Sequence, residues 1–398
     1  MPRYFYYLST RKERISSDNT LWKKPLPLNR DAFGKSGTAR DKKTISYGSY
    51  FQAITDFLNR EIFTKPPLPR ASAELNAVSA GQIRTVSVFL IKHGAFYHPA
   101  RVEIITDDAT YSFILNVAVS SPGRQYLNDE YRTLFSLGDK IPLGFFPKVY
   151  AKGCGQSETG DRLEMFLGQW FDRFFEFHLS HDPKTRKSNL QVWGENNTCF
   201  FLSEPQKRTV YRKAAMILTA CYDPVTTDRI HPWHHAAGDF IVRVFKNGLD
   251  VKLITARNYM PMTGLRQANE ALSESEVMET LLLFFLDLTI RMRLDRMDGI
   301  GEMAWADDPA LSPCINGFFQ GLDLCASING LPDNFPEFFL SYARSHSMEN
   351  LLEFAVDLVS CTYHPKADER AVIMANLAGH VRLLNQCLRG SPIQDEDL

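Results

Sequence analysis

The 398-residue chain has no long hydrophobic run, and its longest strictly apolar stretch is Leu281–Leu286. A bilayer-spanning helix needs about 20 such residues, so no transmembrane segment is expected. The opening MPRYFYYLSTRKER lacks an apolar stretch followed by a small-residue cleavage site, which argues against a signal peptide. An excess of one charge is also missing. Lys and Arg number 45 against 46 Asp and Glu, a net charge of −1, so no global basic field points to nucleic acid or an anionic membrane. Cysteine pairs are absent: Cys154, Cys199, Cys221, Cys314, Cys325, Cys361 and Cys387 are scattered singly and are odd in number. That usage fits reduced thiols in a cytoplasmic protein and disfavours a disulfide framework or a Cys-based zinc site. HExxH, GxSxG and GxxxxGK[ST] do not occur, and no repeat of fixed period is visible.

What is present divides the length into three parts. Residues 1–80 read as an irregular basic extension, with ten Lys/Arg against four acids from Arg11 to Lys43, then a helix near Tyr50–Ile62 that the KPPLP of 65–69 ends. Such a run is either a solvated arm or a docking segment for a protein partner. Residues 81–170 change to β texture. Alternating stretches in TVSVFLIKHGAFYHPARVEIIT (85–106) and in YSFILNVAVS (111–120) predict three strands. A helix over 125–137 presents Leu127, Tyr131, Leu134 and Phe135 along one face, and strand-like FFPKVYAKG and RLEMFLGQWF follow. Residues 171–398 read as mostly helical. Ser203–Gln206 and Ser273–Glu276 have capping-box spacing, and further helices are expected near 333–345, 347–361 and 367–388. Between them FIVRVFKNGLDVKLIT (240–255) predicts a hairpin turning at Asn247-Gly248.

The order of these pieces carries information: a small sheet with one helix, a connector, a helix, the His-rich HPWHHAAGD, a hairpin and a helical remainder. It resembles the protein-kinase-like fold, in particular its aminoglycoside-phosphotransferase and choline-kinase branch, over about residues 83–390. The resemblance implies an α+β, two-lobed architecture with ATP and magnesium as candidate cofactors. In that family a strand lysine and a helix glutamate organise the phosphates, an aspartate accepts the substrate proton, and an asparagine and a second aspartate hold metal. Here Asn116 stands at the lysine position and Glu130 at the glutamate position. His234 stands for the catalytic aspartate, Asp239 for the metal-binding asparagine and Thr255 for the second aspartate. Glu164–Leu167 would run past the adenine.

Magnesium takes several oxygen ligands, and only Asp239 remains of that set. Two substitutes are conceivable: His234 or His235 as general base, and Arg257 or Lys252 supplying charge that a metal supplies elsewhere. Two functions follow. One is an atypical phosphotransferase acting on a small molecule or cell-envelope precursor; the other is a catalytically silent pseudokinase that binds a ligand or acts as a scaffold. A third reading makes a metal site from HPWHH (231–235) and EFHLSHD (176–182), whose His178 and His181 have a spacing compatible with one helix face. The segment KHGAFYHPARVEI (92–104) carries Lys92, His93, His98 and Arg101, cations that face either an anionic ligand or solvent.

Overall fold

The computed structural model describes residues 2–8, 13–27, 44–64, 73–80, 82–94, 96–185, 187–194, 198–234, 238–246, 248–262 and 272–390. Its architecture is α+β, in two compact units: Met1–Ser136 with Pro147–Asp172, and Leu137–Phe146 with Arg173–Leu398.

The first unit is built on one sheet. Alternation of apolar and polar side chains gives β3 (Ile83–Leu90), β4 (His98–Thr106) and β5 (Thr110–Ala118), with every second residue buried along much of β3 and β4. After α3 (Ser121–Lys140) come β6 (Val149–Gln156) and β7 (Arg162–Gln169). Two strands precede these, β1 (Arg3–Leu8) and β2 (Glu13–Ile15), and the full order is β2-β1-β3-β4-β5-β7-β6. All pairings are antiparallel except β1 with β3, which is parallel in the register Arg3↔Thr85 to Leu8↔Leu90.

Residues 1–80 are therefore not an irregular extension throughout. Residues 3–8, RYFYYL, are rich in aromatics, which suit a pleated half-buried surface, and this composition puts them in the sheet despite the charge beside them. The expected helix near Tyr50–Ile62 is α1 (Tyr47–Phe57), continued by π-helical turns over Leu58–Phe63, and α2 (Ala73–Ala80) follows. Ser46 caps α1 by accepting the Ser49 N–H at 3.0 Å. Tyr50, Phe51, Ile54 and Phe57 of α1 share one buried cluster with Val86, Val88, Val102 and Leu115 of the sheet. Each such side chain contributes about 1.5–3 kcal/mol on full burial. Much of the basic run, including residues 28–43, lies outside the described residues.

The second unit contains more strand than its sequence texture suggests. β8 (Phe177–His181), β9 (Ser188–Trp193) and β10 (Cys199–Phe201) form an antiparallel sheet. His178 and His181 thus lie on a strand, not on a helix. α4 (Glu204–Ala220) begins at the Ser203/Gln206 capping box. β11 (Asp228–Ile230) pairs with β14 (Tyr259–Pro261), and between them β12 (Phe240–Phe245) and β13 (Gly248–Leu253) form the expected hairpin. Its turn residue Asn247 is outside the described residues. α5 (Glu274–Arg291) begins at the Ser273/Glu276 capping box. Short β15 (Leu294–Arg296) and β16 (Met303–Trp305) pair, then α6 (Leu311–Asn329), α7 (Phe335–Ser345), α8 (Met348–Thr362) and α9 (Asp368–Arg389) complete the unit. Phe285, Phe318 and Phe339 tie α5, α6 and α7 together, with ring centroids 4.5 to 5.7 Å apart. No helix among the described residues is long and apolar enough to cross a membrane.

Candidate functional site

The chemistry-bearing groups of the second unit gather at the entrance to the β12–β13 hairpin. The Ile254 N–H donates to the Asp239 carbonyl at 2.8 Å, which sets residue 239 beside the segment that carries Arg257. The Asp239 side chain is fully buried. Its two oxygens accept from the two terminal nitrogens of Arg257, each at 2.6 Å, and Oδ2 also accepts the His234 N–H at 2.8 Å. This is a bidentate, charge-assisted pair reinforced by a backbone donor. A buried carboxylate held in this way already has its counter-charge, and a divalent cation would have to displace the guanidinium to reach it. The Asp239 environment therefore does not fit a magnesium ligand. Lys252, the other candidate cation, pairs instead with Asp250 at 3.0 Å.

His234 is shifted down to about 4, first by burial and then by the positive charge of Arg291, although Asp239 opposes the shift. The imidazole is neutral at pH 7, able to accept a proton but only a weak base. His231 is pushed further, to about 3, by burial and by Arg229 and Arg291. Those arginines belong to a buried ionic network in which both pair with Asp287, the Arg291 Nε donating to it at 2.9 Å. His235 lies outside the described residues.

Glu176, from the EFHLSHD segment, stands close to this loop, and Asp295, which the sequence did not single out, stands close to His178. Gly238 has φ +65, and a Cβ there would sit 2.6 Å from the Glu176 carboxylate, so the backbone conformation and the approach of Glu176 both call for glycine. Reciprocal hydrogen bonds of 2.9 Å between Phe175 and Val242 hold the chain before β8 against β12 and thereby position Glu176. His178, buried on β8, has Asp295 at 3.7 Å and Glu176 at 3.9 Å, ion-pair rather than hydrogen-bond distances. Burial alone would lower its pKa, but the two carboxylates outweigh it and raise the group to about 9. Glu176 precedes Gly238 by some sixty residues, and no spacing rule connects them; the Phe175–Val242 bridge does. Among the described residues no group of three or more His, Cys, Asp and Glu side chains is disposed to hold a metal ion.

The candidates of the first unit are placed as follows. Asn116 is buried on β5, opposite Pro99 of β4 and Phe166 of β7 in the strand registers. Glu130 is buried on α3 rather than solvated on its outer face. Glu164, on β7, accepts from the Asn128 amide at 3.1 Å, a partner sequence reasoning missed. In the 92–104 segment His98 is buried and lowered to about 4 by desolvation and by His93, while Arg101 pairs with Glu103 and lies over the Trp170 ring.

No protein-family model matches the chain, and no curated protein matches it. Among solved structures it is similar to WaaP in complex with acyl carrier protein, at 9% sequence identity, covering 68% of this chain and 94% of that one, with a TM-score of 0.30. A likeness at that score carries no argument about fold or function.

Proposed function

We propose that the chain is a protein-kinase-like protein whose metal-dependent chemistry is silent, and which serves as a ligand-binding or scaffold protein. The kinase-like reading is supported in each unit separately. In the first, a sheet core ordered β3-β4-β5-β7-β6 carries α3 between β5 and β6. In the second, a hairpin follows α4 and has Asp239 at its mouth. The observation that carries silence is the bidentate Arg257–Asp239 pair, with the His234 N–H on the same carboxylate. The position where the resemblance expects a metal ligand is filled by an internal counter-ion, and Asn116 gives the phosphates no cation. The basic run of Arg11–Lys43 is part of the same proposal, as a segment whose charge complements an acidic protein surface.

A second reading, an atypical phosphotransferase acting on a small molecule or cell-envelope precursor, draws on the neutrality of His234. A neutral imidazole at pH 7 can take a proton from a hydroxyl. Its basicity, lowered to about 4, makes it a poor general base, which favours the silent reading. Thermal shift and calorimetry with ATP, alone and with magnesium or manganese, separate the two. The silent reading expects no metal-dependent shift and no turnover. Metal-dependent turnover that Asp239→Ala or His234→Ala abolishes would overturn it.

A further inference from the structure

A second place in the unit formed by Leu137–Phe146 and Arg173–Leu398 has the make-up of a ligand site and shares no residue with the Asp239 pair. A cavity of about 490 Å³ lies between β8 and β9, the first turns of α4, and the 306–310 loop. That volume is within the range of small-molecule sites, roughly 300–1,000 Å³. Glu204, Lys207, Arg208 and Tyr211 project into it from one face of α4, at the i, i+3, i+4, i+7 spacing that a helix face requires. Its apolar wall is led by the exposed Pro309, with Leu179 and Ala310 reaching the surface only slightly.

The polar part is biased towards anions. Lys207 is held by Glu204 at 2.6 Å, so these two charges cancel locally. Lys187 and Arg208 also line the cavity, and among the described residues neither has a carboxylate within ion-pair distance. Asp307 is the one remaining acid of the lining, which leaves an excess of one positive charge. On the same wall the side-chain oxygen of Asn189 is buried and, among the described residues, lacks a hydrogen-bond partner. That oxygen is an acceptor, so a ligand N–H or O–H would satisfy it and a phosphate oxygen would not.

We infer that this cavity binds a small organic phosphate, its head group between Lys187 and Arg208 and its apolar part against Pro309, Leu179 and Ala310. A guanidinium matches two phosphate oxygens at once, and the apolar wall distinguishes such a ligand from the free anion. The test titrates the full chain with phenyl phosphate by calorimetry, with inorganic phosphate and benzoate as parallel arms. Phenyl phosphate should bind saturably at one site, at least about fivefold tighter than either arm alone, since each supplies only half of the contacts. Lys187→Ala/Arg208→Ala should weaken it at least about tenfold, the scale of a lost charge-assisted contact. Hydrogen exchange on the unaltered protein, independent of how the variant folds, should show protection at 187–190 and 204–211 when phenyl phosphate is added. No saturable binding below about 10 mM, equal affinity for inorganic phosphate, or protection confined to other segments would each overturn the assignment.

Discussion

In the unit that holds the large sheet, α1 and the strands meet through aliphatic and aromatic side chains, and no arginine among its described residues is buried. The other unit buries Arg229, Arg291 and Arg293 together with Asp239, Asp287 and Asp295. Apolar burial is non-directional and tolerates repacking, whereas a buried ion holds only while its partner is in place. The difference teaches where each unit is vulnerable: one to lost volume, the other to a single missing charge.

The largest effect is expected from Asp287→Ala, which leaves Arg229 and Arg291 buried without their shared carboxylate. It should cost about 3–5 kcal/mol, and replacing all three residues by apolar ones of similar volume should cost much less. Urea unfolding at pH 7, with hydrogen exchange assigning the loss to one unit, measures both; a cost below about 1 kcal/mol for Asp287→Ala would show that the network holds nothing. Leu115→Ala in the sheet core should cost about 3 kcal/mol through lost transfer energy and a residual cavity. That loss should be the same at low and high salt, unlike the loss from a charge change, and a marked salt dependence would break the contrast.

The pH profile sharpens it further. His178 titrates near 9 in the fold against about 6.5 unfolded, so its contribution is complete below about 6.5 and fades as pH rises towards 9. His231 and His234, lowered to about 3 and 4, act in the opposite sense: below about 6.5 the unfolded chain takes up protons that the fold refuses, and stability falls. The second unit should therefore be most stable near pH 6.5. His178→Gln should flatten the alkaline side by about 1 kcal/mol between pH 6.5 and 7.5, a window read by chemical denaturation and lying below the pH at which unfolded thiols ionise. An unchanged alkaline slope would remove His178 from this role. Smallest is Ser273→Ala at the start of α5, about 1 kcal/mol by loss of a capping box, visible as a drop in Tm.

How far the sequence discloses this molecule differs with the kind of signal. β3 to β5, α3 and the capped helices announce themselves by period and by local capping chemistry, which neighbours in sequence supply. α6 does not. Its Pro313, Gly317 and Gly321 read as breakers, yet a Cβ at Gly317 would meet the Arg212 carbonyl at 1.9 Å and one at Gly321 the Met216 carbonyl at 2.5 Å. The glycines are there for close packing on α4, a reason that lies in another helix. Of the site, Asp239 and Arg257 could be named from their distance to the hairpin, but their pairing could not. Two residues separated by a whole hairpin meet only once that hairpin has closed. The sequence sets the segment of Glu176 beside the His-rich loop only as a metal site, and Asp295 is invisible for the same reason.

The parallel pairing of β1 with β3 sets a timetable for the nascent chain. Arg3 and Thr85 are partners, so β1 waits for a mate made some eighty residues later. At about 5–20 residues per second that wait lasts several seconds, during which an aromatic, strand-prone segment has only the three residues of β2 to pair with. Closing so long a loop is slow compared with forming α1 or the β4–β5 pair. The sheet should thus assemble from its middle outward and take up β1 late.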